Sequence, residues 1–258
     1  MDKILIVGIN QYPGCPLPDC VLDAQRAKTF AEDREGADER MYNTVRLVDR
    51  DATTEAILTA LDWLVYSVQP GDRLLFWYSG HGAQVPTNDP AEPDGLAEVI
   101  CPVDFDWSPG RMITDQQFVN IFGAVPPGAC FNWVSDSCHS GGLSRELKPY
   151  RLLRAYPLPP PAKMAARLKN LQAQGRKPHV RRNLLNVGYV SGCRSDQTSA
   201  STGNGGALTT NLLAILHRDS PATPLVQVVK DTAALIHEKG YDQDPQAEGA
   251  RANCPFWG

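Results

Sequence analysis

The sequence predicts an α/β fold, with a mainly parallel central sheet and helices on both faces. Two observations carry this expectation. Apolar runs of strand length alternate along the chain with segments whose apolar residues recur at helical spacing, the pattern of repeated strand–helix units. The chain has 258 residues, 42% of them hydrophobic, which is enough for one large core, so a single domain over 1–258 is expected.

The elements follow in order. The apolar run from Lys3 to Ile9 reads as a first buried strand, and Val21 to Glu32 as a helix, with Val21, Ala24, Ala27, Lys28 and Ala31 at helical spacing. Asn43 to Val48 is a second strand. Asp51 to Glu55 supplies N-cap chemistry for a helix through about Val68, which Pro70-Gly71-Asp72 breaks. Arg73 to Ser79 is a third strand, ending at the glycines around His81. The Pro-, Asp- and Asn-rich stretch from Ala83 to Leu96 reads as a surface loop, followed by the short apolar run Val99 to Val103. A helix starts at Thr114, and Cys130 to Ser135 is a fourth strand that delivers Asp136 and Cys138 to its carboxyl end. Met164 to Gln174 reads as a short exposed helix and Leu185 to Val190 as a fifth strand. Helices over Ala207 to Leu216 and Leu225 to Lys239 precede a tail with an edge strand. Sheets of this kind place their sites beyond the carboxyl ends of the strands.

The net charge of −4 hides an asymmetry. Residues 145–182 hold eleven Lys or Arg against one acid, Glu146, and include Pro157 and Pro159-Pro160-Pro161. This basic linker divides 1–144 from 183–258. Seven scattered cysteines, without a Cys-x-x-Cys pair, fit a reducing cytoplasm better than disulfides or structural zinc. No 18-residue apolar stretch occurs, so no membrane span is expected. A monomer is expected.

Two segments carry chemistry: Ser79-Gly80-His81-Gly82 and Asp136-Ser137-Cys138-His139-Ser140-Gly141-Gly142. A cysteine attacks as thiolate, and it needs a base and donors for the oxyanion formed on its substrate. His81 supplies the base. The backbone N–H groups of Gly82 and Cys138 are the oxyanion donors. His139 is adjacent to Cys138, and consecutive extended side chains point apart, which makes it the poorer base. The His lies 57 residues upstream of the Cys.

These motifs, with Gly8-Ile9-Asn10-Gln11-Tyr12, Cys20-x-x-Asp23, Ile100-Cys101-Pro102-Val103-Asp104, Ser191 to Ala200 and Gln243-Asp244-Pro245-Gln246, resemble the metacaspase family of caspase-like cysteine peptidases. The chain is most similar to its compact prokaryotic forms, and the resemblance covers most of the chain. It implies a caspase-hemoglobinase fold, a large-subunit-like part over 1–144, a small-subunit-like part over 183–258, and peptide hydrolysis by a Cys138–His81 dyad. It also implies a substrate pocket formed by Cys20, Asp23, Ser79 and Asp136, and cleavage after Arg or Lys. Cys20 and Asp23 share a helix face, and Asp136 lies two residues before the nucleophile on the same side of the strand. Two carboxylates in a partly desolvated slot suit a guanidinium.

Many metacaspases bind calcium through aspartates outside the active site. Here the matching segments are Leu96-Ala97-Glu98 and Asp115-Gln116, which leave Asp94, Glu98 and Asp115. Calcium takes six to eight oxygens, so no metal or cofactor is expected. The partners implied are polypeptides with a basic residue before the cut. The basic segment reads either as solvated surface or as the enzyme's first substrate. Two other functions compete, a catalytically silent scaffold and a nucleic-acid binder using residues 145–182. The first is disfavoured by the intact Cys and His, the second by the lack of a base-reading module.

Overall fold

The computed structural model describes residues 1–33, 42–137, 154, 156–174, 185–194 and 197–257. Cys138, Ser195, Asp196 and, of the basic linker, residues 145–153, 155 and 175–182 lie outside the described residues.

Strands β1 (Asp2–Gly8), β2 (Tyr42–Val48), β3 (Arg73–Ser79), β7 (Cys130–Asp136), β8 (Gly188–Ser191) and β9 (Gln246–Glu248) form a sheet in the order β2-β1-β3-β7-β8-β9. All neighbours are parallel except β8 and β9. A smaller antiparallel sheet joins β4 (Gly82–Pro86), β5 (Leu96–Ile100) and β6 (Ile113–Thr114). The helices are α1 (Cys20–Glu32), α2 (Thr54–Val65), α3 (Asp115–Phe122), α4 (Ala162–Gln172), α5 (Ala207–Arg218) and α6 (Leu225–Glu238). The architecture is the expected α/β one.

Alternation along the strands explains the two layers of core. Leu5, Val7, Phe76 and Tyr78 point to one face with Ile57, Leu61 and Leu64 of α2 and Phe118 and Phe122 of α3. Ile4, Ile6, Leu75 and Trp77 point to the other, against Ala24 and Ala27 of α1, Leu208 and Leu212 of α5 and Val228 of α6. Burial on both faces is why β1 reads as an unbroken apolar run. Local chemistry starts the helices. Thr53 Oγ1 accepts from Ala56 N–H at 3.2 Å, and Thr114 and Gln117 form a capping box on α3.

Gly8 sets the approach of α1 to the sheet. A Cβ there would lie 2.5 Å from the Cys20 carbonyl oxygen and 2.7 Å from the Ala24 Cβ. Glycine therefore lets the first turn of α1 sit directly over the carboxyl end of β1.

Three expectations are corrected. Residues 83–96 are not simply a loop, because β4 and β5 pair across them, leaving only 87–95 as the connection. Helix α2 stops at Val65, where Tyr66 turns extended and Ser67 takes φ 56°. The fifth strand begins at Gly188 instead of Leu185, since its ladder with β7 starts at Asn132↔Gly188.

Candidate active site

The carboxyl ends of β1, β3 and β7 are level, because Gly8 pairs with Ser79 and Ser79 with Asp136. The chain leaves β3 through Gly80 into His81, and β7 through Ser137 towards Cys138.

His81 is buried, and its backbone is held from both sides. Its N–H donates to the Tyr12 hydroxyl at 3.0 Å, and its carbonyl accepts from the Tyr78 hydroxyl at 2.7 Å and from Cys101 N–H at 3.0 Å. Nε2 lies 2.9 Å from the Cys15 carbonyl oxygen. A carbonyl only accepts, so this contact assigns the hydrogen to Nε2 and leaves the lone pair of the neutral ring on Nδ1. The Tyr12 ring lies 4.6 Å away, centroid to centroid. This is a ring fixed in orientation and tautomer, as a general base requires. Cys138 itself lies outside the described residues. Ser137, immediately before it, is buried, with its hydroxyl 2.9 Å from that of Ser135.

Asp23 from the first turn of α1, Ser79 from the end of β3 and Asp136 from the end of β7, which the family resemblance groups in one pocket, converge at full burial. What they surround is the guanidinium of Arg154, also fully buried. Its Nη1 donates to Ser79 Oγ at 2.5 Å and to the Asp136 carbonyl at 2.9 Å, and lies 3.3 Å from Asp136 Oδ2. Its Nη2 donates to Asp23 Oδ2 at 2.5 Å and to Asp19 Oδ1 at 3.1 Å. The reading of the basic segment as plain solvated surface therefore fails at Arg154. Three carboxylates draw its side chain out of water.

The main chain of Arg154 is bound as well. Its N–H donates to the Ser199 carbonyl at 3.2 Å, and its own carbonyl accepts from Gly82 N–H at 2.9 Å. Two residues on, Tyr156 N–H donates to the Gly82 carbonyl at 2.8 Å. The Arg154 carbonyl thus rests on one of the two N–H groups that the sequence singles out as oxyanion donors.

A loop and helix start beyond β8 hold the carboxylates in place. Asp136 accepts from Ser199 Oγ at 2.7 Å, Thr209 Oγ1 at 2.7 Å and Thr209 N–H at 3.0 Å. Asp23 accepts from Gly206 N–H at 2.9 Å. Asp19 accepts from the Ser201 hydroxyl and, at 3.2 Å each, from the N–H groups of Gly203 and Gly205. At Gly206 any Cβ would fall on the Asp136 carboxylate and 2.5 Å from Arg154 Nη2.

Burial pushes the Asp23 carboxyl up to about 6, with the Asp136 charge adding to the shift and Arg154 opposing it. For Arg154, burial works against the charge, but the facing acids, Asp136 foremost, hold its pKa well above the usual value. Cys20 is fully buried, and burial raises its thiol pKa, so it offers the pocket a neutral wall beside Ser79. Asp19, Cys20 and Asp23 bring three donor atoms within 4.8 Å of one another, a metal-like grouping. The cation these carboxylates face is the guanidinium.

The carboxylates that the family resemblance links to calcium lie elsewhere and are buried. Asp115 accepts from Glu98 N–H at 3.2 Å and Gln116 N–H at 2.9 Å, and Asp94 accepts from Leu96 N–H at 3.1 Å. Both Asp115 oxygens are thus turned onto backbone donors.

Sequence reasoning missed Asp19. It stands at the N-cap of α1, where an Asp ordinarily bonds the free helix N–H groups, yet its side chain makes no capping bond. It is turned to the 201–205 loop and Arg154. The signal was an acid immediately before Cys20-x-x-Asp23.

The family model for the metacaspase peptidase C14 domain matches residues 2–145. The chain is 40% identical over 147 residues to Metacaspase-1 of Cryptococcus neoformans, covering 54% of this chain and 31% of that protein. It is 38% identical over 155 residues to Metacaspase-8 of Arabidopsis thaliana, covering 57% and 39%. Metacaspase-1 of Scheffersomyces stipitis is 28% identical over 286 aligned positions, covering 95% and 69%. The chain thus spans about a third of the length of the first of these relatives. A crystal structure of a Geobacter sulfurreducens protein matches with a TM-score of 0.70 at 24% identity, covering 99% of this chain and 98% of that one, a likeness of fold. Among the described residues, no helix is long and apolar enough to cross a membrane.

Proposed function

The chain belongs to the metacaspase family, and from that premise we propose that it is a cysteine endopeptidase cutting polypeptides after arginine or lysine through Cys138 and His81. One observation carries this reading. Arg154 is held as a substrate residue would be held, with its guanidinium among Asp19, Asp23 and Asp136 and its carbonyl on Gly82 N–H.

In this scheme the Cys138 proton passes to Nδ1 of His81, and the thiolate adds to the carbonyl carbon of the basic residue. The carbonyl electron pair moves to oxygen, where the N–H groups of Gly82 and Cys138 stabilise it. The imidazolium gives its proton to the leaving amine as the C–N bond breaks, and a thioester remains. Water then adds to the thioester, releasing the new carboxylate and restoring the thiol.

The first substrate is the chain's own Arg154–Ala155 bond, within the basic segment 145–182. The segments matched to the family's calcium site carry few carboxylates, Asp94, Glu98 and Asp115, so turnover that survives EDTA is expected.

The test is a short fluorogenic peptide ending in arginine, given to wild type and Cys138→Ala. Turnover in the first and none in the second is expected, while equal signals would remove the enzyme reading. Purified wild type should also fragment slowly to a piece beginning at Ala155.

A further inference from the structure

We propose that the aromatic chamber occupied by Tyr156 is a binding subsite for the second residue beyond the scissile bond, and that it selects an aromatic side chain there. This rests on Arg154 being the residue before the cut. Tyr156 is then two positions past that bond.

The backbone fixes the correspondence. Gly82 donates its N–H to the Arg154 carbonyl and accepts the Tyr156 N–H on its own carbonyl. One residue of the enzyme is thus bonded on both sides of the cut. Any peptide bound by the same pair of bonds presents its second primed side chain where the Tyr156 ring now lies.

The chamber is built for a ring. Tyr156 is 7% exposed and meets four aromatic rings edge to face. Their centroid distances are 4.6 Å to Phe105, 5.5 Å to His81, 5.7 Å to Trp107 and 6.3 Å to Tyr12. Edge-to-face contacts reward an aromatic guest beyond its buried area. An alanine would leave a void, and an acid would have to bury its charge against aromatic rings.

A second observation comes from the chamber wall. Trp107 takes φ 69°, a region that bulky side chains rarely adopt. Strain of this kind concentrates at ligand clamps, where surrounding contacts over-determine the residue. Here Phe105 stacks edge to face on Trp107 at 4.9 Å and both rings close on Tyr156. The His81 ring is another wall, 5.5 Å from Tyr156, so an aromatic guest packs against the proposed base itself.

The test uses the full chain as wild type and as Tyr156→Ala, the latter to clear the chamber of its own occupant. Quenched-fluorescence peptides carry Arg-Ala-Tyr-Pro, Arg-Ala-Ala-Pro or Arg-Ala-Glu-Pro across the cut, beside a short arginine substrate with nothing but a fluorophore after it. For Tyr156→Ala, kcat/KM for the Tyr peptide should exceed that for the Ala peptide by about tenfold, with the Glu peptide lowest. Trp107→Ala should draw the Tyr-to-Ala ratio towards one, a ratio that does not depend on how much of the variant folds. Self-cleavage of Tyr156→Ala after Arg154 should slow by a similar factor. If the short substrate is cleaved while the three longer peptides are cleaved alike, the subsite is wrong and the peptidase reading stands. If the short substrate is untouched, the peptidase reading falls and takes the subsite with it.

Discussion

Ser79 and Asp136 stand opposite each other in register at the carboxyl ends of β3 and β7, and Nη1 of Arg154 is hydrogen-bonded to both. This polar recognition is therefore mounted on two central strands, whose side chains are locked between two layers of core. Asp19 and Asp23 complete it from a helix that Gly8 admits close to the sheet.

Arg154→Gln should abolish the fragment that begins at Ala155. It also leaves three buried carboxylates without their cation, a loss on the order of 3–5 kcal/mol at neutral pH. Without Arg154 the Asp23 carboxyl rises further, so the folded variant binds a proton more tightly than its unfolded chain. Its deficit against wild type should shrink as pH falls towards 5. Denaturant unfolding at several pH values, with gel analysis of self-cleavage, measures both effects.

Asp19→Asn should weaken the choice of arginine over lysine. Nη2 of Arg154 is shared by Asp19 and Asp23 while Nη1 serves Ser79 and Asp136. A lysine ammonium is a single point on a shorter stem and cannot serve both sides. A fall of about tenfold in the ratio of kcat/KM for matched Arg and Lys peptides is expected, the equivalent of one charge-assisted bond. An unchanged ratio would show that Asp19 only pins the 201–205 loop.

Gly206→Ala should close the pocket, because its Cβ falls on the Asp136 carboxylate and the guanidinium. Overpacking costs about 1–3 kcal/mol of stability. Arginine-peptide turnover should fall much further, by roughly a hundredfold, since misplacing a positioned group by about 1 Å costs that much. Steady-state kinetics beside a thermal melt separates the two effects.

Asp23 should give the fold a pH slope. Its folded pKa is raised to about 6, so between the ordinary carboxylate value and about 6 the folded state holds more protons than the unfolded one. Its contribution to stability therefore falls as pH rises through that window and is flat above it. Asp23→Asn removes this contribution, and its stability relative to wild type should rise across the window by about 2–3 kcal/mol. Urea midpoints at pH 4.5, 5.5 and 7 test the slope, and a difference that falls with pH would refute it.

Legibility in the sequence followed how local the information was. The strands β1, β3 and β7 are buried on both faces and announce themselves as apolar runs, and their ends deliver His81, Ser79 and Asp136. β4 was hidden because it is short, ends at Pro86 and buries Gln84, whose side-chain Oε1 accepts from Gln172 Nε2 of α4. Its partner β5 was half hidden too, since Ala97 and Glu98 give it little strand character. Asp19 was not legible, because the bonds that define it reach Arg154 and the 201–205 loop, more than a hundred positions along the chain.

The sequence by itself determined the sheet, the ends of its central strands and the carboxylates Asp23 and Asp136 that stand there. The strands and their ends are matters of periodicity and spacing within a few residues, while the two carboxylates were marked by the family resemblance. Only the tertiary structure decided which cation those carboxylates hold. Arg154 is one of eleven basic residues in its segment and 131 positions from Asp23, and nothing in its immediate neighbours marks it. The choice is made where the path of the whole chain brings Ser199, Gly82 and three carboxylates to one point. There the cost of burying each charge is met by the others.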